Sequence, residues 1–315
     1  MSSNNKKLSL VIEESQKDSG EVIQLFPTLR QTIQPKVLLR LGVFVPTLKS
    51  TDKGGRKNHR IDATEPLSRL SIVEGEGYCQ IQIYGPRLDM DSDFKSWCGI
   101  VYALSNRPLD SEGQLVLNFP EFAKFCGFDT KRIDKQLRER FDASLTRIAR
   151  TSISFVKKKP GTDDQITINM HLVESTYYDS STGKIVIKPN SKLNTLYRVD
   201  GKTRLYLKTL QKLARKESAQ ALYLYLAELP STFYRIGFDR LRERLQLSSH
   251  LGNQNATVKK ALGQLKEIGF LEYSIDKENG DYVLNILNRP GFPGECFICE
   301  LRLPDHRFRW KHNKL

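Results

Sequence analysis

The sequence predicts an α+β fold of two tandem helix-turn-helix units, each carrying a β-hairpin wing. Three observations predict it. The order short helix, turn, longer helix, strand pair occurs twice, over about 119–170 and again over about 236–286. The apolar spacings coincide: Phe119, Phe122 and Cys126 match Phe238, Leu241 and Leu245, and Leu145 and Ile148 match Leu262 and Leu265. In both copies the apolar period changes from helical to alternating where the hairpin is expected. A helix-turn-helix followed by a hairpin is a winged helix, so the fold class is two winged-helix domains in series.

Residues 1–33 are polar with little apolar periodicity and read as a flexible tail. Leu38, Leu39, Leu41, Val43, Phe44 and Val45 form a dense apolar run before Pro46, read as a strand with Leu38 and Phe44 opposite Leu39, Leu41, Val43 and Val45. Gly54 and Gly55, among Lys49, Lys53, Arg56, Lys57, His59 and Arg60, mark a basic loop. Ile81–Tyr84 alternates as a strand, and Phe94, Trp97, Ile100, Val101 and Leu104 share one helix face.

A short helix over Phe119–Cys126 closes at Gly127, and Asp129 or Thr130 is placed to cap the next helix, whose core positions are Ile133, Leu137, Phe141, Leu145 and Ile148. Ser152–Val156 and Ile166–Met170 flank Lys157, Lys158 and Lys159 as a hairpin with a basic tip, the expected wing of the first unit; Lys184–Lys188 is a third strand. Leu205, Leu207, Leu210 and Leu213, then Ala219–Leu226, supply supporting helices for the second unit. There the short helix is Ile236–Leu245, Ser248–Asn255 is a polar turn, Thr257–Ile268 is the second helix, and Phe270–Ile275 with Tyr282–Ile286 form the wing. The expected domains are 34–198 and 199–290, followed by a basic tail over 291–315.

Fifty Lys and Arg against 36 acidic residues give a formal charge of +14, which favours a polyanionic partner, nucleic acid ahead of an anionic membrane surface. No window approaches the ~18 apolar residues of a membrane span, and the polar start does not read as a signal peptide. Five cysteines without framework spacing suit a reducing cytoplasm. On the second helix of the second unit, Asn253, Ala256, Lys259, Lys260, Gly263 and Gln264 lie opposite the core stripe. Amides there can read adenine edges, lysines can reach guanine or phosphate, and small residues permit close approach to a groove. Gln254, Asn255 and Thr257 lie at its start. In the first unit the candidate contacts are Lys131, Arg132, Lys135 and Arg138 on the helix and Lys157, Lys158 and Lys159 at the hairpin tip.

No catalytic constellation is visible. Gly201-Lys202-Thr203 has Leu196 where a phosphate loop needs its first glycine, and the five histidines form no His-x-His pair of a nicking enzyme. Cys296 and Cys299 followed by His306 and His312 have zinc-like local spacings, but six residues between Cys299 and His306 are too few for a ββα finger, and no metal or other cofactor is expected.

Four stretches, Gln34–Pro46, Gly85–Trp97, Glu217–Tyr223 and Gln264–Leu271, resemble in the same order the RepA-type initiators of theta-replicating, iteron-bearing plasmids, within them the RepFIB-like branch. The resemblance implies a plasmid replication initiator. A monomer binds double-stranded origin iterons; a homodimer in equilibrium with it binds inverted operator repeats and represses its own gene. It also implies the host initiator DnaA, the replicative helicase and chaperones as partners. On this reading Leu39, Leu41 and Phe44 of the two-sided apolar strand are the candidate dimer contacts. A winged-helix repressor without initiator activity is the alternative. A DNA-processing enzyme would show motifs this sequence lacks.

Overall fold

The computed structural model describes residues 13–16, 22–25, 27–47, 78–128, 133–158, 163–199, 201–229, 234–278 and 280–289. Among the described residues the first elements are an antiparallel ribbon, β1 (Glu13–Gln16) with β2 (Val22–Leu25), and then β3 (Gln31–Pro35), so these parts of the expected flexible tail are strands. Next comes a helix, α1 (Lys36–Arg40), rather than a strand. Pro35 at its N-cap and Gly42 beyond its end (φ +65°) are helix punctuation, and Val37, Leu38 and Leu39 are all buried. A helix of five residues with three consecutive buried apolar side chains carries a run indistinguishable by pattern from a two-sided strand. Only β4 (Phe44–Val45) is extended, pairing in parallel with β6 (Leu88–Asp89).

Between them runs β5 (Tyr78–Tyr84), and beyond them α2 (Asp93–Asn106), a helix buried on most sides. Asp89 accepts hydrogen bonds from the Ser92 and Asp93 backbone N–H groups and so caps it. The first helix-turn-helix is β7 (Leu115–Asn118), α3 (Phe119–Phe125) and α4 (Lys135–Ala149). Asn118 caps α3 through Glu121 N, and Asp134, not Asp129 or Thr130, caps α4 through Leu137 N. Helix α4 thus begins later than the periodicity alone suggests, and residues 129–132 lie outside the described set. Arg147 of α4 donates to both carboxylate oxygens of Asp93, tying α4 to the start of α2.

The strands that follow are β8 (Ser152–Lys158), β9 (Gln165–His171), β10 (Val173–Asp179) and β11 (Lys184–Pro189). They separate into two sheets, ordered β5-β8-β9 and β10-β11-β7. Helix α5 (Leu193–Val199) runs up to the expected domain boundary, and the expected second unit, 199–290, then holds β12 (Lys202–Tyr206), α6 (Leu207–Lys212), α7 (Glu217–Glu228), β13 (Arg235–Gly237), α8 (Phe238–Arg244), α9 (Leu251–Glu267), β14 (Glu272–Glu278) and β15 (Asp281–Asn288). Its sheet is ordered β13-β15-β14.

Comparing the two sheets corrects the wing of the first unit. In the second unit the strand before the helix pair, β13, bonds to β15, the return strand of the hairpin. In the first, the strand before the helix pair, β7, bonds to β11, so the topological wing is β10–β11 with its turn at 180–183. The basic-tipped β8–β9 hairpin is inserted ahead of it and pairs with β5. Sequence alternation identified β5, β8, β9 and β11 but not β7 or β10, and it carries no information about which strand each pairs with.

The repeat otherwise holds at the level of packing. Phe119, Phe122, Cys126, Leu145 and Ile148 are buried, as are Phe238, Leu241, Leu245, Leu262 and Leu265. Leu205 lies in β12, which pairs with β3, so a sheet rather than a helix joins the start of the chain to the second unit. Helix α9 begins at Leu251, capped by His250, where Ser248–Asn255 was read as a turn; its polar residues are one face of a helix. Among the described residues no helix is long and apolar enough to cross a membrane.

Candidate nucleic-acid interface

Helix α9 buries Val258, Ala261, Leu262 and Leu265 against the second unit. Its opposite side exposes Asn253, Ala256 and Lys260, with Gly263 and Gln264 half-exposed; Asn253, Ala256, Lys260 and Gly263 follow at steps of three and four, and Gln264, four beyond Lys260, completes one line along the helix. A β-carbon at Gly263 would find nothing within 4 Å, so close packing against another described element does not explain that glycine. Glu267, at the far end of the line, pairs with Lys216.

The remaining α9 candidates have partners within the protein. Gln254 donates to the Ser249 carbonyl, and the Thr257 hydroxyl donates to the Asn253 carbonyl. Asn255 accepts from Arg242 at 2.7 Å, and the Lys259 ammonium sits 3.5 Å from the centre of the Tyr282 ring. Arg242 also makes a two-pronged contact to Asp281, 2.9 Å from Nη1 to Oδ1 and 2.6 Å from Nη2 to Oδ2. The pair holds the Asp281 carboxyl below its ordinary range and raises Arg242, the two directions agreeing on a favourable contact.

The corresponding helix of the first unit is built differently. Arg138 lies 4.7 Å from the centre of the Phe119 ring and donates to the Tyr178 hydroxyl. Arg140 pairs with Asp91 and Arg147 with Asp93. Lys135 is exposed, 3.9 Å from Glu139, and Glu139 and Asp142 share the outward side with it. The solvent face of α4 is therefore mixed in sign where the α9 line carries a single lysine and no acid before Glu267. Lys158 is exposed and Lys157 half-buried at the end of β8. Lys131, Arg132 and Lys159 lie outside the described residues, as do Cys296, Cys299, His306 and His312.

The three residues expected at a dimer contact are not on the surface. Leu39, Leu41 and Phe44 are 1%, 0% and 1% exposed, and Phe44 packs edge-on against Phe94. Their segment instead docks on the second unit. Arg40 pairs with buried Glu228, Thr47 donates to Glu217, and Arg244 donates to the Phe44 carbonyl. Gln246 donates to the Gly42 carbonyl, and Arg87 donates to Pro46 O, Leu245 O and the Gln246 side chain. Burial pulls both Arg87 and Arg244 down to about 10, leaving them cationic at neutral pH. No sequence signal marked this contact, since its polar groups are scattered singly through apolar or turn segments.

The family model described as "Initiator Replication protein, WH1" matches residues 95–227, from within α2 almost to the end of α7. A "Replication protein RepA" of Salmonella typhi is 42% identical over 304 residues, 93% of this chain and 85% of that one. The chain belongs to the RepA/RepFIB family of replication proteins. A "RepFIB replication protein A" of Escherichia coli (strain K12) is 46% identical over 261 residues, covering 82% of this chain and 79% of the relative. Among solved structures, a Pi initiator protein in complex with iteron DNA matches over 65% of this chain and 96% of that chain, at 12% identity and a TM-score of 0.41. In this RepA/RepFIB-family initiator, the matched WH1 region holds α3, α4 and the β10–β11 wing, and the open line of α9 lies beyond it.

Proposed function

We propose that this replication initiator starts theta replication of a plasmid by binding repeated double-stranded sequences at the origin, with α9 reading bases in the major groove. The observation that carries this reading is the open line Asn253, Ala256, Lys260, Gly263 and Gln264, which alternates long donors with residues of negligible bulk. Lys260→Ala and Gln264→Ala each lose roughly 1–3 kcal/mol on an origin-repeat duplex. On unrelated DNA, Gln264→Ala binds like the parent, since a neutral amide releases no counterion. Titrations on both duplexes over a salt series check this. Both variants folding and binding the repeat unchanged would place the reading surface elsewhere. Initiation itself is tested by asking whether the gene with its flanking DNA maintains an origin-less plasmid; repression of its own promoter without maintenance would favour a dedicated repressor.

The dimer that represses the gene forms, on this reading, through the first unit. With Leu39, Leu41 and Phe44 in the core, the support moves to β9. It is the outer strand of its sheet, seven residues long, with Ile168 and Met170 buried and Gln165, Thr167, Asn169 and His171 exposed. Neither a proline nor a lysine interrupts it, the usual guards of an open edge. The opposite edge, β5, is broken by a register shift at 79–82 where Gln80 takes a φ of +53°. A regular uncharged edge can pair with its own copy about a twofold axis. DnaA, the replicative helicase and chaperones remain the partners that the family resemblance implies.

A further inference from the structure

The return strand of the second unit's wing starts beside its reading helix. Gly280 (φ +86°) turns the hairpin, and the next two residues, Asp281 and Tyr282, both reach the helix pair. Asp281 takes the bidentate contact from Arg242 of α8, and the same Arg242 donates to Asn255 of α9. Tyr282 lies between Phe238 of α8, ring centres 5.4 Å apart, and the Lys259 ammonium of α9. One guanidinium therefore joins three elements: the helix that carries it, the start of the reading helix and the turn of the wing. Its side chain is 12% exposed, while that of Asp281 is 38% exposed. The arginine is thus set under the surface, with the carboxylate at it.

We infer that Arg242 is a positioning residue for DNA recognition, locking the wing to α9 through Asp281 and Asn255 so that both meet the duplex at one fixed angle. The inference rests on α9 being the reading helix. A planar fork fixed at three acceptor atoms sets direction as well as distance, which an ammonium at the same place cannot do. Groove contacts tolerate little misplacement, because a bidentate base contact depends on both donors being in plane. Releasing the wing should therefore cost discrimination between sequences more than general affinity for DNA.

The lock makes a prediction that charge alone contradicts. Arg242→Ala removes a cation and Asp281→Asn removes an anion close to the DNA. If the pair acted only through its charges, the first would weaken binding and the second would tighten it. If it positions the wing, both lose affinity for the origin repeat, by about tenfold or more, while unrelated DNA is bound nearly as before. The double variant then loses no more than either single one, the signature of two residues acting as a unit. Arg242→Lys restores the charge but not the discrimination, and the salt dependence of Arg242→Ala stays at the wild-type slope, because the guanidinium touches no phosphate.

The experiment is equilibrium titration of these variants, with melting curves, on an origin-repeat duplex and a scrambled one. Should Arg242→Ala fail to fold, Asp281→Asn, which preserves side-chain volume, decides alone: lower affinity for the repeat supports the lock, and unchanged or tighter binding overturns it. A shallower salt slope in a folded Arg242→Ala also overturns it, making Arg242 a direct phosphate contact. Gln264→Ala measured alongside separates the two readings. A silent Asp281→Asn beside an effective Gln264→Ala removes the lock alone, whereas a silent Gln264→Ala removes the reading helix on which the lock rests.

Discussion

Gly263 sits inside a 17-residue helix, where glycine costs about 1 kcal/mol relative to alanine. With open space around it, Gly263→Ala should stabilise the protein by about that amount and raise the melting temperature. On the proposed reading the same methyl group stands where the groove wall comes closest, so affinity for the origin repeat should fall. Melting and titration of one variant thus move in opposite directions; a variant both more stable and equally tight would show that the glycine serves no contact. Gln246 presents the converse case. It occupies the position after α8 that Gly127 occupies after α3, with φ values of +49° and +80°. Gly127 takes this conformation without cost, whereas a side chain there is strained. Gln246 bears the strain where its amide bridges Gly42 and Arg87.

At the scale of elements, the open edge of β9 gives the next test. Thr167 is exposed in the middle of the strand, opposite Val156 of β8. Thr167→Lys places a charge on the edge without disturbing the buried face, and sedimentation should show the variant shifted to monomer with iteron binding retained. A variant as dimeric as the parent would place the contact away from β9. Much of this architecture was legible in the chain. The spacings in Phe94–Leu104 and Leu137–Ile148 are those of α2 and α4, and the alternation in 152–156 and 166–170 is that of β8 and β9. The illegible parts have physical reasons. Helix α1 is too short, at five residues with three consecutive ones buried, to show a periodic stripe, and strand partners are chosen by three-dimensional packing, which hid the true wing. The α9 line was readable because one helix face is local in sequence. Arg242 was not, because its role depends on a carboxylate 39 residues away, and nothing in Arg240, Arg242 and Arg244 distinguishes the one that turns toward the wing.

At the scale of the whole molecule, the two units are joined by more than the chain between them. Strand pairing of β3 with β12, the buried Arg40–Glu228 pair and the Arg87–Gln246 contacts come from different points of the sequence. At their centre Arg244 is 2% exposed, with one hydrogen bond to Phe44 O and no hydrogen-bond partner for Nε or Nη2 among the described residues. Gly42 leaves the space it fills, since a β-carbon there would come within 2.8 Å of Nη1. A buried cation without a carboxylate opposes its own burial. This junction is therefore held by its neighbours rather than by Arg244.

The junction has a consequence for the DNA as well as for the protein. Two readers on a flexible tether tolerate any spacing that the tether can span. If the first unit contacts the duplex beside α9, two readers clasped through Arg87, Gln246 and Gly42 have one separation and one dihedral angle, and the duplex must present its two contact segments in torsional phase. One inserted base pair rotates the far segment by about 34° about the helix axis. A repeat lengthened by one pair between the segments protected by the two units should then bind only as tightly as the second unit holds DNA alone. Affinity should change abruptly with the insertion rather than decline smoothly. Titration of a spacer series reads this directly, and affinity indifferent to spacing would mean that the clasp opens on DNA. Held closed, it makes the pitch of the double helix part of the sequence being recognised.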